Sequence, residues 1–133
     1  MILVDSNIFM YAAGKEHPAK QPSLAFLESV AREEVDAVID AEVLQEILHR
    51  YTAIGKREAI GPAFQVVLDI VDDVLGIEKA DVLRAGEIAQ NRPSMSARDA
   101  VHIAVMERHG IRSILSFDAD FDRWPGLKRI HQI

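Results

Sequence analysis

Four acidic residues of this chain follow apolar runs or lie on apolar helical stretches, and their chemistry suits a hard metal ion. Asp5 follows the apolar run Ile2–Val4, Glu46 and Asp99 lie within periodic apolar segments, and Asp118 comes shortly after another apolar run. Carboxylate oxygens are the ligands that Mg²⁺ or Mn²⁺ prefers, and such ions keep waters and bridge to phosphate oxygens. We interpret the four acids together as a candidate metal-binding cluster.

Each of these acids also has a structural interpretation. Asp5 is typical of a turn or a helix cap. Asp99 stands three residues after Ser96, which is the spacing of a capping box. Glu42 lies in a first helical turn, where the helix dipole favours an acid, whereas Glu46 lies beyond that turn and gains little from it. The joint placement of the acids, rather than any single residue, therefore favours function.

Three acids crowd the loop that contains Asp118, because Asp120 and Asp122 follow it at intervals of two. Like charges at this spacing repel one another unless they are solvated or share a cation. Asp118 is the main candidate, and Asp120 or Asp122 could assist it.

Other metal and cofactor chemistries find little support. The chain has no cysteine, so a thiolate site is excluded. His102 is not part of a His-Glu-x-x-His motif, and we expect it to be buried or to support a ligand. The glycines occur singly outside any phosphate loop, and no Gly-x-Ser-x-Gly elbow is present.

Apolar periodicity predicts the elements that must position these acids. Helices are predicted at Pro22–Arg32, from about Leu44 to Gly55, from a break near Gly61 to Val71, at Ala80–Gln90 and at Ser96–His109. Strands are predicted at Ile2–Val4, Val35–Ile39, Val74–Ile77 and Ile111–Leu115, with an edge strand in Leu127–Ile133. This alternation predicts an α/β fold, a three-layer sandwich with a mainly parallel central sheet flanked by helices. Asp5 and Asp118 then lie beyond the carboxyl ends of strands, where such folds bind ligands.

Length and composition predict one domain spanning residues 1–133, since 133 residues with 49% hydrophobic content can bury one core. The net charge of -6 disfavours binding of nucleic acid by bulk charge, so any such binding needs metal and local cations. The start of the chain has neither a basic leader nor a membrane span, and we expect a soluble, cytoplasmic protein with no membrane partner.

Four segments resemble the motifs of the PIN-domain family, and within it the small VapC-like toxins of toxin–antitoxin pairs. Leu3–Ile8 resembles the first motif, Val43–Leu48 the second, Ser96–Ala104 the third and Ile114–Phe121 the fourth. The resemblance runs from end to end. In the fourth motif Ser116 stands where threonine is common, and the hydroxyl is kept.

This resemblance implies a Mg²⁺- or Mn²⁺-dependent endoribonuclease that hydrolyses RNA phosphodiester bonds. Asp5, Glu46, Asp99 and Asp118 would be catalytic, with Asp5, Asp99 and Asp118 nearest one or two ions. The supporting residues would be Asn7, Ser116 and Asp122. The resemblance also implies an RNA substrate, a cognate antitoxin and a homodimer.

Two other classes of function stay open. A PIN fold without catalysis could serve as an RNA-binding or protein-interaction module, and neither metal stabilisation nor RNA cleavage would then be expected. A Toprim-like metal phosphohydrolase is suggested by Asp118-Ala119-Asp120 after a strand, although the glutamate expected at an early strand end is missing. A phosphoaspartate enzyme is disfavoured because Asp5-Ser6-Asn7 lacks a second acid.

Overall fold

Five short strands and six α-helices alternate along the chain in this computed structural model, which describes residues 1–132. The strands are β1 (Ile2–Val4), β2 (Ala37–Asp40), β3 (Val74–Leu75), β4 (Ser113–Leu115) and β5 (Lys128–Ile130). The helices are α1 (Ser6–Ala13), α2 (Lys20–Ala31), α3 (Ala41–Ala53), α4 (Ile60–Ile70), α5 (Lys79–Asn91) and α6 (Ala97–His109). Two short 3-10 turns lie at Arg57–Ala59 and Ala119–Arg123.

All strand pairs of the sheet are parallel, and the strand order is β3-β2-β1-β4-β5. The central strand β1 is in register with β4, so that Val4 lies beside Leu115. The carboxyl ends of neighbouring parallel strands therefore meet at one edge of the sheet, as the sequence predicts.

Neighbouring residues of each central strand enter opposite halves of the core. Leu3 packs with α5 and α6 residues such as Ala85 and Ile103, whereas Val4 packs with α1, α2 and α3 residues such as Phe26 and Ile47. This alternation is the two-residue period of a β-strand. Both faces of the sheet are thus covered by helices, which confirms the predicted three-layer α/β sandwich.

Helix α1 is absent from the predicted elements, because Asp5 is as typical of a turn as of a helix cap. In the structure the Asp5 carboxylate accepts a hydrogen bond from the Ser6 N–H, and α1 begins at once. The buried side chains of Ile8 and Phe9 then provide its apolar face. Polar residues after a strand therefore mark a cap here rather than a loop.

The predicted helix start beside Gly61 and Pro62 is confirmed, because α4 begins at Ile60, after a separate 3-10 turn at Arg57–Ala59, and both residues lie inside its first turn. A proline costs little there, since the N–H that it lacks would have no partner in the helix. The preceding helix, α3, ends just before Gly55, whose φ is 72°.

The remaining strands and helices match the predicted ones with ends shifted by a few residues. The edge strand is β5, and Ile133 at the end of its predicted range lies outside the described residues. None of the helices in residues 1–132 is both long enough and apolar enough to cross a membrane.

Replacement of two glycines by alanine should change the free energy of unfolding in opposite directions, which tests the backbone assignment. Gly110 ends α6 with a φ of 68°, whereas Gly86 lies inside α5, and a Cβ would meet no atom within 4 Å at either position. Gly110→Ala should therefore destabilise the protein by about 1 kcal/mol through backbone strain. Gly86→Ala should stabilise it by roughly 0.5–1 kcal/mol. Urea unfolding measures both, and changes of the same sign would contradict the assignment.

Candidate active site

Asp5 is fixed at the junction of β1 and α1 by the packing of two parallel strands. Its side chain accepts hydrogen bonds from the Ser6 N–H at 2.8 Å and from the Ser116 hydroxyl at 2.6 Å. Ser116 directly follows β4, the parallel neighbour of β1. Asp5 is only 4% exposed, and burial raises the pKa of its carboxyl. The sheet thus holds an acid where its charge is costly.

Glu46 belongs to a buried network whose centre is His102. The His102 Nδ1 atom lies 2.7 Å from an Asp40 oxygen, and its Nε2 atom lies 2.5 Å from a Glu46 oxygen. The second oxygen of Glu46 accepts a hydrogen bond from the Ser6 hydroxyl at 2.6 Å. The network therefore joins α1, the end of β2, α3 and α6.

The electrostatics of this network favour a protonated imidazole. Burial alone would lower the pKa of His102, but the hydrogen bonds and charges of Asp40 and Glu46 raise it well above 6.5. Burial would likewise raise the pKa of Glu46, yet the hydrogen bond and charge of His102 lower it. Both ring nitrogens of His102 are engaged by carboxylates, which favours the protonated ring, and a protonated ring has no lone pair for a metal.

Asp40 was missed by the sequence analysis. It is fully buried at the end of β2, and its other oxygen accepts a hydrogen bond from the Val43 N–H at 3.1 Å, which caps α3. The missed signal is the one used for Asp5, an acid between an apolar strand and a helix. Because β2 was predicted to end at Ile39, Asp40 fell outside it.

A second group of acids lies at the start of α6 and just beyond β4. One carboxylate oxygen each of Asp99, Asp118 and Asp120 lies within 4.8 Å of the others. Burial, together with the negative charges of Asp118 and Asp5, raises the pKa of Asp99 to about 7. Without a bound cation, this group holds its acids close together against their repulsion.

The Asp99 side chain is not needed to begin its helix. The Ser96 hydroxyl accepts a hydrogen bond from the Asp99 N–H at 3.1 Å and so provides the cap. The Asp99 carboxylate is left beside Asp118 and Asp120. The capping interpretation therefore accounts for Ser96 and leaves the Asp99 carboxylate to be explained by the acidic group.

Of the three predicted supporting residues, Asn7 and Ser116 contact each other, whereas Asp122 lies apart from them. Asn7 donates a hydrogen bond to the Ser116 hydroxyl at 3.2 Å, and that hydroxyl also accepts one from the Asp118 N–H at 3.0 Å. Asp122 instead pairs with Arg129 at 2.8 and 3.0 Å, and Arg129 also donates to the Ser116 carbonyl. Asp122 thus braces the segment that contains Asp118, and Asp120 is the neighbour beside the acids.

A divalent cation fits the group of Asp99, Asp118 and Asp120, with Asp5 adjacent. All donors are carboxylate oxygens, which suit Mg²⁺ or Mn²⁺ and disfavour zinc. The buried Oδ1 atom of Asn7 has no hydrogen-bond partner among the described residues, and the hydration shell of an ion would provide one. A second group of possible ligands consists of Asp5, Glu46 and His102. It fits a metal less well, because both imidazole nitrogens are already engaged by carboxylates.

These features define an α/β protein with an acidic pocket at the carboxyl edge of a parallel sheet. A sequence model described as the PIN domain matches residues 2–127, and the chain belongs to the PIN-domain family.

Named relatives narrow the similarity within that family. The chain is 52% identical over 130 residues to Ribonuclease VapC13 of Mycobacterium tuberculosis, covering 98% of this chain and 99% of that protein. It is 36% identical over 118 residues to Ribonuclease VapC23 of the same species, covering 89% and 93% of the two chains. The match spans nearly the whole length of each protein.

Solved structures with the same fold have lower identity. VapC20 of M. tuberculosis, described as a sarcin-ricin loop cleaving toxin, superposes with a TM-score of 0.75 at 19% identity, covering 92% of this chain and 93% of that one. VapBC2 of Rickettsia felis, solved with a promoter DNA fragment, gives 0.74 at 19% identity and covers 98% of both chains. At this identity the likeness establishes the fold alone.

Removal of the Asp40 carboxylate should be strongly destabilising. Asp40→Ala leaves His102 with one fewer anionic partner and α3 without its cap, and the loss of one partner of a buried pair costs about 3–5 kcal/mol. Urea unfolding measures the cost, with Asp72→Ala at an exposed position as control. A cost of about 1 kcal/mol or less, near that of an ordinary substitution, would contradict the network.

The raised pKa of Asp99 predicts a pH-dependent stability in EDTA. A carboxyl whose pKa rises from 3.8 to about 7 on folding binds its proton more tightly in the folded state, so this group destabilises the protein as pH rises through that window. Near pH 4 the Tm of Asp99→Asn should therefore be equal to that of wild type or lower. Towards pH 8 the Tm of the variant should rise relative to that of wild type. A relative gain of about 1 kcal/mol corresponds to roughly 4 °C.

Thermal unfolding between pH 4 and pH 8 provides the measurement, with the exposed Asp72→Asn as control. The control should run parallel to wild type. A difference between Asp99→Asn and wild type that stays constant across the window would show that the Asp99 carboxyl is not perturbed.

Proposed function

We propose that this chain is a metal-dependent endoribonuclease that hydrolyses RNA phosphodiester bonds and acts as the toxin of a toxin–antitoxin pair. The observation that carries the proposal is the convergence of Asp99, Asp118 and Asp120 beside Asp5 at the carboxyl edge of the sheet. The 52% identity to a protein named a ribonuclease supports the same reaction.

In this proposal Asp5, Asp99 and Asp118 hold Mg²⁺ or Mn²⁺, and Asp120 is placed to assist them. A bound divalent ion would supply positive charge beside a phosphate and lower the pKa of an attacking water molecule. The protein itself positions the acids. Ser116 orients Asp5 and the backbone at Asp118, and Asn7 holds the Ser116 hydroxyl.

Glu46 completes the cluster through its two hydrogen bonds. One oxygen is held by the His102 imidazolium and the other by the Ser6 hydroxyl, so the carboxylate is fixed at the edge of the pocket. His102 keeps a proton at Nε2 facing Glu46, which favours the charged form of that acid. In this proposal Glu46 is an anion that completes the acidic cluster or orients a water molecule.

The similarity to toxins solved in complexes supports an antitoxin partner. The neighbours include a complex titled VapBC from Salmonella typhimurium and a toxin–antitoxin complex from Klebsiella pneumoniae. An apolar groove of about 530 Å³ lies between α1, α2 and α4, with Leu24 and Val66 40% and 55% exposed, and it offers such a partner an apolar surface. The homodimer, the cytoplasmic location and the single domain stay predictions.

Of the alternatives, the Toprim-like phosphohydrolase loses its support to the match with the PIN-domain model. The buried acids disfavour an inactive PIN-fold module. Their mutual repulsion destabilises the fold, and such perturbed acids are typical of catalytic sites rather than of surfaces that only bind a partner.

The direct test is Mn²⁺-dependent cleavage of a panel of cellular RNAs by the antitoxin-free protein. Wild type should cut in Mn²⁺ and not in EDTA, and Asp99→Asn should lower the rate at least 100-fold, the scale on which one charge-stabilising group acts. Asp72→Asn, which changes an exposed acid, should keep full activity.

Thermal unfolding separates the site from the fold in the same samples. Mn²⁺ should raise the Tm of wild type through mass action and should raise that of Asp99→Asn much less. Folded wild type that binds Mn²⁺ but cuts none of the RNAs would favour the interaction module instead.

A further inference from the structure

A cleft of about 870 Å³ begins at the acidic network and runs away from it between α1 and α3. Its inner end is lined by Ser6, Asn7 and Glu46, which belong to the network described above. It adjoins the apolar groove between α1, α2 and α4, and Met10, Ala13 and Tyr51 line both. Its volume lies in the range of small-molecule and cofactor sites, roughly 300–1,000 Å³.

Four cations line this cleft, and they continue outward from the acids. Arg98 directly precedes Asp99, and Arg50 lies one helical turn after Glu46 on α3. Lys15 and Lys56 lie further out, just beyond the ends of α1 and α3. All four are exposed.

These four cations form no ion pair with the other residues that the structure describes. Within residues 1–132 six lysines and arginines form ion pairs within 4.0 Å, and the four cleft cations are not among them. In a chain with a net charge of -6, unpaired cations gathered on one cleft create a local positive potential. That potential is suited to an anionic chain that must approach an acidic pocket.

The rest of the cleft wall is apolar and aromatic. Met10, Tyr11, Tyr51 and Ile54 line it. The Tyr11 ring is held by stacking on His17, with ring centroids 4.5 Å apart, and by an edge contact with Phe117 at 5.5 Å. Cations beside fixed aromatic groups are the usual combination in sites for single-stranded nucleic acid, where bases meet apolar side chains.

We propose that this cleft binds a single-stranded segment of RNA next to the cleaved phosphodiester, on the Glu46 side of the acids. The inference rests on the proposed function, because it needs an RNA bond to be cleaved at the acidic group. Arg98 and Arg50 contact the nearer phosphates, and Lys15 and Lys56 the more distant ones. The bases lie against the apolar wall, which a duplex would not allow because its bases are stacked inside.

The test compares two double variants of exposed lysines. Lys15→Gln with Lys56→Gln removes the outer cations of the cleft, whereas Lys79→Gln with Lys128→Gln removes two lysines outside it that have no ion pair among the described residues. The probe is a fluorescein-labelled single-stranded RNA of 12 nucleotides, or the duplex of the same sequence. Anisotropy is measured in EDTA, which prevents cleavage, over a range of NaCl concentrations.

The cleft variant should bind the single strand with a salt slope shallower by about 1.4, since each lost phosphate contact removes about 0.7. At 0.1 M salt this corresponds to about 25-fold weaker binding. The control variant should match wild type, and the duplex should bind wild type at least about tenfold more weakly than the single strand. Both variants should keep the wild-type Tm, because the substituted side chains are exposed.

Two results would overturn the inference: equal binding by the cleft and control variants, or a duplex that binds as tightly as the single strand. Cleavage in Mn²⁺ at low RNA concentration distinguishes its failure from that of the proposed function. If wild type and the cleft variant cut at the same rate, the cleft inference alone is wrong. If antitoxin-free wild type neither binds nor cuts RNA, the proposed function fails and the inference fails with it.

Discussion

The buried cation at His102 is the interaction on which the acidic pocket depends. Asp5, Asp40 and Glu46 all point towards a region where their charges would be expensive, and the imidazolium lies 2.5 to 3.9 Å from oxygens of the three. Its hydrogen bonds also join α6 to α3 and the end of β2, which are far apart in sequence. One side chain thus stabilises the negative charge and fixes the relative positions of the elements that carry it.

The hydrogen bonds of His102 reach only one side of the acidic pocket. His102 forms hydrogen bonds with Asp40 and Glu46 and lowers the pKa of Glu46. Asp99 lies outside those hydrogen bonds, and its pKa rises to about 7 because burial and the charges of Asp118 and Asp5 outweigh the attraction of His102. The division has a physical meaning. The acids beside His102 are neutralised within the protein, whereas an added cation would relieve the mutual repulsion of Asp99, Asp118 and Asp120, and we therefore expect the metal on that side.

Most of the fold could be predicted from the sequence, and the four candidate acids lie near one edge of the sheet, while their roles stay predictions. The reasons for the misses are specific. Periodicity located every strand, because parallel strands covered on both faces are short apolar runs. Helix α1 was missed since Asp5, Ser6 and Asn7 fit a loop and a cap equally well, and the choice depends on Ile8 and Phe9 finding a partner in α2. Periodicity within α1 alone does not contain that information.

The positions of Asp40 and Asp120 in the site could not be predicted from the sequence for a different reason. The environment of Asp40 is set by His102, 62 positions away, and only the crossing of α3 and α6 brings them together. Asp120 and Asp122 are equivalent by spacing, but Arg129 on the edge strand pairs with Asp122.

The position of β5 beside β4 therefore draws Asp122 to Arg129, whereas Asp120, whose ion pair with Arg123 is longer at 3.9 Å, lies beside Asp99 and Asp118. Arg129 on the edge strand thus separates the two otherwise equivalent acids: it engages Asp122, and Asp118 and Asp120 are the pair that lies beside Asp99.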